Sequence, residues 1–174
     1  MKTLIGKNIY LRALEPEDLT FLFENENDEV FWNVSQTIQP FSKYILKKYI
    51  ENSHLDIYEV KQLRLIIALI DTHEPVGMID LYDYNPKNKR AGIGILILEQ
   101  FQGNGYASEA LKIIINYAFK QLDIYQLYAS IGVDNLKSIE LFEKAQFKIS
   151  GIKIDWNFYN GKFHDELFLQ LINN

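Results

Sequence analysis

Between residues 92 and 111 the chain passes from a short apolar run through two closely spaced glycines into a helix-periodic segment, and few folds can use such a passage. Ile93 to Leu98, with Ile95, Leu96 and Ile97 at its centre, is rich in β-branched residues and reads as a strand covered on both faces. Gly103 and Gly105 permit positive φ and leave bare main chain for a ligand to approach. Ala107, Leu111, Ile114, Ile115, Ala118 and Leu122 then fall on one face of an amphipathic helix. A strand feeding a glycine turn into a helix leaves unpaired N–H groups and the positive end of the helix dipole facing outward. Such an end suits a pyrophosphate.

The flanking residues narrow the ligand. A Walker A loop ends in Gly-Lys-Ser/Thr, but Gly105 is followed by Tyr106-Ala107. A dinucleotide fingerprint needs glycine or alanine where Ser108 stands, and it belongs in the first βα turn, whereas 91 residues precede Gly92. The spacing Gln100-x-x-Gly103-x-Gly105-x-Ala107 resembles instead the acyl-CoA pyrophosphate loop of the GNAT N-acetyltransferases.

Composition excludes several other classes. A length of 174 residues predicts one domain, 1–174, large enough for a full core. Hydrophobic residues at 48% argue against disorder. A net charge of −5 with no basic run argues against a nucleic-acid partner. Without cysteine there are no disulfides, no cysteine-based metal sites and no cysteine nucleophile, which fits a cytoplasmic protein. Its apolar runs are too short for a membrane span, and Met1 to Lys7 lack a signal-peptide core. His54, His73 and His164 are scattered without metal-ligand spacing, so no metal is expected.

Taken in order, Asn8 to Leu14 alternates as a first strand, and Pro16 opens a helix with Leu19, Leu22 and Phe23 on its apolar side. Glu24 to Glu29 reads as an acidic break before Val30-Phe31-Trp32. It is either a solvated loop or, with Glu26, Asp28 and Trp32, an ammonium site. A second helix follows Ser42, its N-cap. Leu63 to Ile70 and Pro75 to Tyr84 form a hairpin, with Met78, Asp80, Tyr82 and Tyr84 expected on one face. Asp80 is a carboxylate in an apolar strand: a substrate ligand or base on one reading, an ion-paired structural residue on the other. Tyr125 to Val133 is the next strand, Asp134-Asn135 caps a helix to Lys144, and Lys153 to Tyr159 and Lys162 to Leu171 form a hairpin around Asn160-Gly161.

The order β-α-α-β-β-β-α-β-α-β-β predicts a mixed sheet with helices on its faces. In it, Asn135-x-x-Ser138-x-x-Leu141-Phe142-Glu143-Lys144-x-x-Phe147 is similar to the GNAT segment that holds pantetheine and thioester, 30 residues beyond Gly105. The two motifs in this order identify the chain as a member of that superfamily. Arg12-Ala13-Leu14-Glu15-x-x-Asp18-Leu19 resembles the opening of the spermidine/diamine and Rim-type branches, and Gly77-x-x-Asp80-Leu81 and Asn160-Gly161-x-x-x-Asp165 are similar to the polyamine branch.

The resemblance implies an α/β (α+β) GNAT fold, with a mostly antiparallel sheet of six or seven strands and about four helices. It implies acetyl-CoA as cosubstrate and a primary amine as acceptor, attacked directly in a ternary complex. Ile95, Leu96, Ile97 and Leu98 would line the thioester, with main-chain amides around Leu96 to Leu98 facing the oxyanion. Gln102, Gly103, Asn104, Gly105, Tyr106 and Ala107 would hold the pyrophosphate, and Asn135, Ser138, Phe142 and Lys144 the remaining arm. Asp80, or a water it orients, is the candidate base, with Asp83 or Glu99 as substitutes. Glu26, Asp28, Trp32, Asp80 and Asp83 form the candidate acceptor site. One departure stands out: the family's usual general acid is a tyrosine where this chain has Phe142. Ser138, Tyr106, Tyr125, Tyr128 or water would then stand in. The branch also makes a homodimer or larger assembly reasonable. Three activities stay open: a polyamine acetyltransferase, a peptide or protein N-terminal acetyltransferase, and a CoA-binding module with little catalysis.

Overall fold

The computed structural model describes residues 2–35 and 37–173; Met1 and Asn174, the ends of the expected 1–174 domain, lie outside the described residues. Among the described residues a single seven-stranded sheet runs in the order β1-β2-β3-β4-β5-β7-β6. Its strands are β1 (Ile9–Arg12), β2 (Leu63–Leu69), β3 (Pro75–Asn85), β4 (Arg90–Ile97), β5 (Gln126–Gly132), β6 (Lys148–Tyr159) and β7 (Lys162–Ile172). Every neighbouring pair is antiparallel except β4 and β5. The sheet is thus mixed, as the element order predicts, and mostly antiparallel, as the resemblance implies.

Among the described residues six α-helices, rather than about four, accompany it: α1 (Leu19–Glu26), α2 (Glu29–Ser35), α3 (Lys43–Glu51), α4 (Ile57–Val60), α5 (Tyr106–Lys120) and α6 (Leu136–Lys144). The two additional helices are short and depend on local caps. Asp28 Oδ1 accepts from the Val30 amide at 3.0 Å to start α2, and Asp56 Oδ1 accepts from Tyr58 and Glu59 to start α4. The acidic break is correspondingly shorter than expected. Glu24 and Glu26 belong to α1, and Glu29 opens α2.

Two hydrophobic cores cover the two faces of the sheet. Helices α5 and α6 bury Leu111, Ile114, Ala118 and Phe142 against Ile79, Leu81, Ile93, Leu127 and Ala129. Leu22, Leu46 and Ile50 of α1 and α3 meet Ile66, Ala68 and Met78 on the other face. Tyr84 does not share the face of Met78 and Asp80, as the alternation predicted. Asp83 takes φ 49°, the β3–β4 register shifts between Tyr82 and Asn85, and this bulge turns Tyr84 into the α5 core. No helix of the described residues is long and apolar enough to cross a membrane.

Candidate active site

Strands β4 and β5 part almost as soon as they meet. Their parallel pairing covers Arg90 to Gly92 against Gln126 to Tyr128 and then stops, so β4 beyond Gly92 faces an opening. Alternation decides which groups line it. The Leu98 amide donates to the Val76 carbonyl on β3 at 3.0 Å, so the main-chain groups of Leu96 also turn toward β3. Those of Ile95 and Ile97 turn into the opening, where the Ile97 carbonyl accepts from Gln102 Nε2 at 3.1 Å. Of the expected oxyanion donors, the Ile97 amide is therefore the one directed at the gap.

At the wide end of this opening lies the N-terminus of α5. Gly103 and Gly105 both adopt φ 81°, and a Cβ at either would meet no atom within 4 Å. The left-handed backbone, not crowding, requires glycine here, and the bare side faces outward. Asn104 Nδ2 braces the turn through the Phe101 carbonyl at 3.1 Å. The first intrahelical bond runs from the Glu109 amide to Gly105, so the amides of Tyr106, Ala107 and Ser108 are free to meet an anion. Glu109 turns away from that end and accepts from the amides of Lys7, Asn8 and Ile9. Burial pushes its carboxyl up, but these bonds outweigh burial and hold it below the usual range.

Helix α6 starts at the lip of the same opening. Asn135 Oδ1 accepts from the Ser138 amide at 3.2 Å, so this side chain is the helix cap. Phe142 is 3% exposed and packs edge-on against Phe147 at 5.0 Å between ring centroids. Between α5 and α6 runs a groove of about 480 Å³, floored by Ile115, Phe119 and Leu141 and edged by Lys112, Lys120 and Lys144. Lys144 also pairs with Glu140 at 2.7 Å.

On the opposite face, Arg64 links two of the expected acceptor-site carboxylates. Its Nε and Nη2 donate to the two oxygens of Asp80 at 2.7 and 2.6 Å, Nη1 bonds Glu26, and the guanidinium lies 5.6 Å from the Tyr49 ring centre. Burial works against the arginine charge, but Asp80 and Glu26 outweigh it and raise its pKa above the ordinary value. The three charges sum to −1. Tyr49, Arg64 and Glu26 also line a pocket of about 210 Å³ with Phe41, Ile45, Leu46 and Gln62. Of the other expected acceptor residues, Asp28 and Asp83 stand apart from this cluster, and Trp32 touches it through the Glu26 main chain. Asp28 is exposed and engaged as the α2 cap, Asp83 is exposed at its bulge, and the Trp32 indole donates to the Glu26 carbonyl at 3.1 Å.

Arg64 was not among the residues that sequence reasoning selected. A signal existed, because an arginine inside an apolar strand stands opposite Asp80 once the hairpin register is known. Tyr82 was likewise passed over. Its ring lies against Gly92, where a Cβ would come within 2.2 Å of it, and meets Tyr128 edge-on at 6.0 Å. Burial foremost, then Tyr128 and the carboxylates of Asp83, Glu166 and Asp80, raise the Tyr82 phenol well above its ordinary value. Burial and Asp83 also raise the Tyr128 phenol. Both hydroxyls stay protonated at neutral pH.

A parallel opening beside a bare helix N-terminus is an acyl-CoA geometry, and the comparison with known families agrees. The acetyltransferase (GNAT) domain family matches residues 8–148. The chain belongs to the GNAT acetyltransferases. This GNAT protein is an acetyl-CoA-dependent N-acetyltransferase. It is 26% identical to the spermidine N(1)-acetyltransferase of Escherichia coli K12 over 92% of this chain and 83% of that one. It is 28% identical to a putative ribosomal N-acetyltransferase of Bacillus subtilis, covering 97% of this chain and 93% of the other. The spermidine N-acetyltransferase of Vibrio cholerae, solved with CoA and spermine, superposes with a TM-score of 0.86 at 23% identity, over 94% of this chain and 95% of that one. The GNAT fold is thereby established. A structure of the same Vibrio enzyme at 25% identity is dodecameric; it gives a TM-score of 0.79 and covers 94% of this chain and 93% of that one.

Proposed function

We propose that this GNAT enzyme transfers the acetyl group of acetyl-CoA to a primary amine of a polyamine or diamine, by direct attack in a ternary complex. The observation that carries the reading is the net negative, aromatic-lined face formed by Glu26, Arg64, Asp80, Tyr49 and Tyr82 beside the β4–β5 opening. Carboxylate charge attracts the ammonium groups of such an acceptor, and aromatic rings suit both its cations and its methylenes. The spermidine N(1)-acetyltransferase relative agrees with this substrate class.

In this mechanism the amides of Tyr106, Ala107 and Ser108 receive the pyrophosphate with Gln102, Gly103, Asn104 and Gly105. The lysine-edged groove between α5 and α6 takes the phosphorylated adenosine end, and Asn135, Ser138 and Phe142 border the pantetheine arm. An alkylammonium with a pKa of roughly 10 must lose a proton before attack. Asp80 has both oxygens engaged by Arg64, so it serves best by orienting a water that takes the proton. The Ile97 amide, next to the expected Leu96, meets the oxyanion; a donor of this kind contributes about 3–4 kcal/mol. Phe142 cannot protonate the thiolate. A CoA thiol with a pKa of about 8.5 can still depart as the anion, without the general-acid contribution of about 10²–10⁴-fold.

The putative ribosomal relative favours a second reading, acetylation of a peptide N-terminus. Phe142 favours a third, a CoA-binding module with slow turnover. Thiol release from acetyl-CoA in the presence of spermine, spermidine, putrescine and peptides with free N-termini separates them. Polyamine turnover is the expected result, peptide turnover alone supports the second reading, and binding without turnover supports the third. Assembly into dimers or larger forms, expected from the dodecameric relative, is measured by sedimentation.

A further inference from the structure

A primary amine of the chain itself is hydrogen-bonded to β5 just past the last residue that pairs with β4. Lys153 Nζ donates to Glu166 Oε1 at 2.8 Å and to Ser130 Oγ at 3.2 Å. It lies 4.9 Å from the Trp156 ring centre and 5.8 Å from that of Phe168. Glu166 is 4% exposed, and its other oxygen accepts from Asn157 Nδ2 at 2.9 Å. A carboxylate, a hydroxyl and two aromatic faces make a cage fitted to an alkylammonium.

The position of the cage matters as much as its chemistry. Ser130 sits on β5 beyond its last pair with β4, Tyr128 against Gly92. Continuing that parallel register sets Ser130 opposite Gly94, which offers no side chain to fill the gap, and just before Ile95 and Ile97. Ser130 and Glu166 share the face of Tyr128, since β5 and β7 pair Ser130 with Phe168 and Gly132 with Glu166. The Lys153 amine is thus tethered where an acceptor amine would approach the thioester.

We propose that Lys153 is an intramolecular acetyl acceptor and that the enzyme acetylates it from acetyl-CoA. This rests on the reading that the thioester lies in the β4–β5 opening. One proton passes from the ammonium to Glu166, and the freed lone pair attacks the thioester carbon. The C–S bond breaks as the amide C–N bond forms, and the second nitrogen proton travels through water to the CoA thiolate. The product is neutral acetyl-lysine beside a protonated Glu166, so modification removes the cation from the cage.

Geometry makes the proposal separable from chance acetylation. Lys153, Lys89 and Lys144 are all ion-paired, but the Lys153 side chain is 32% exposed, whereas those of Lys89 and Lys144 are 54% and 70% exposed. A reagent free in solution favours the latter two. The full chain is incubated with acetyl-CoA without acceptor, and in parallel with acetyl phosphate, and acetylated lysines are mapped by mass spectrometry. The expected result is one acetyl group on Lys153 ahead of Lys89 and Lys144 with acetyl-CoA, and the reverse order with acetyl phosphate. The rate constant is expected to be independent of protein concentration. K153R loses this addition while acetyl-CoA still raises its melting temperature, and G105V, which blocks the pyrophosphate turn, loses it as well. An unlabelled Lys153, labelling in order of exposure, or a rate constant that grows with protein concentration overturns the proposal. Running the free-amine panel alongside keeps the two ideas apart. Polyamine turnover with Lys153 unlabelled sinks self-acetylation alone, and labelled Lys153 without free-amine turnover supports it while removing the polyamine reading.

Discussion

Phe142 stands where the resemblance implies a tyrosine acid, and it makes a direct prediction. The ring is buried against Phe147, so F142Y adds one hydroxyl to an otherwise unchanged shape. If thiolate departure limits the rate, kcat for thiol release rises by about tenfold or more, with little change in the acetyl-CoA KM. An unchanged kcat assigns the proton to another group, with Ser138 the first to test. Asp18 carries a second prediction. Arg12 grips both its oxygens at 2.7 and 2.8 Å, and the Glu15 amide adds a bond at 2.8 Å. Burial pushes this carboxyl up, but Arg12 and Glu15 outweigh it and hold its pKa below the ordinary value. A depressed folded pKa means that the stabilisation is complete above the unfolded value of about 3.9 and is lost as pH falls through the lower folded value. D18N therefore lowers the melting temperature at neutral pH by several degrees, taking a charge-assisted bond as about 1.5–3 kcal/mol. It also flattens the fall in stability below pH ~4 relative to the parent chain. Thermal scans across pH check both effects.

At the scale of elements, the turn before α5 separates folding from ligand binding. Alanine at Gly105 must hold φ 81° but collides with nothing, a cost of about 1–2 kcal/mol. G105A is expected to lose only a few degrees of melting temperature, yet to raise the acetyl-CoA KM about tenfold, because the new methyl group stands on the side open to phosphate. Steady-state kinetics beside a thermal scan make the comparison. This turn was legible in the sequence because its signals are local: the β-branched run of β4, the two glycines and the 3.6-residue period of α5. The β6–β7 turn was legible for the same reason, Asn160 and Gly161 adopting φ 51° and 75° as a type I′ turn demands. What escaped depends on partners distant in the chain. Arg64 reaches Asp80 only through the β2–β3 register, and Lys153 reaches Glu166 only through that of β6 and β7. Tyr84 changed face because a single residue, Asp83, bulges, which strict alternation cannot anticipate. Helix α2 was hidden because Asn27-Asp28 reads as a break, although Asp28 is a cap.

For the whole molecule, the same β4–β5 opening predicts that acetyl-CoA or CoA stabilises the fold by touching both sides of it. At a concentration near 100 times its Kd, a ligand of the native state adds about 2.7 kcal/mol. For a chain of this size that is a rise of roughly 5–10 °C in melting temperature, accompanied by slower hydrogen exchange in residues 129–132 of β5. An unchanged melting temperature with either ligand would place the donor elsewhere. Seen mechanically, the sheet is two plates, β1 to β4 and β5 to β6, joined along a seam of three paired residues on each strand. A force drawing the plates apart loads that seam first, and a molecule bridging it acts as a rivet. The free enzyme should therefore yield at lower force when pulled across β4 and β5 than when pulled across β2 and β3, and its natural donor should erase most of the difference.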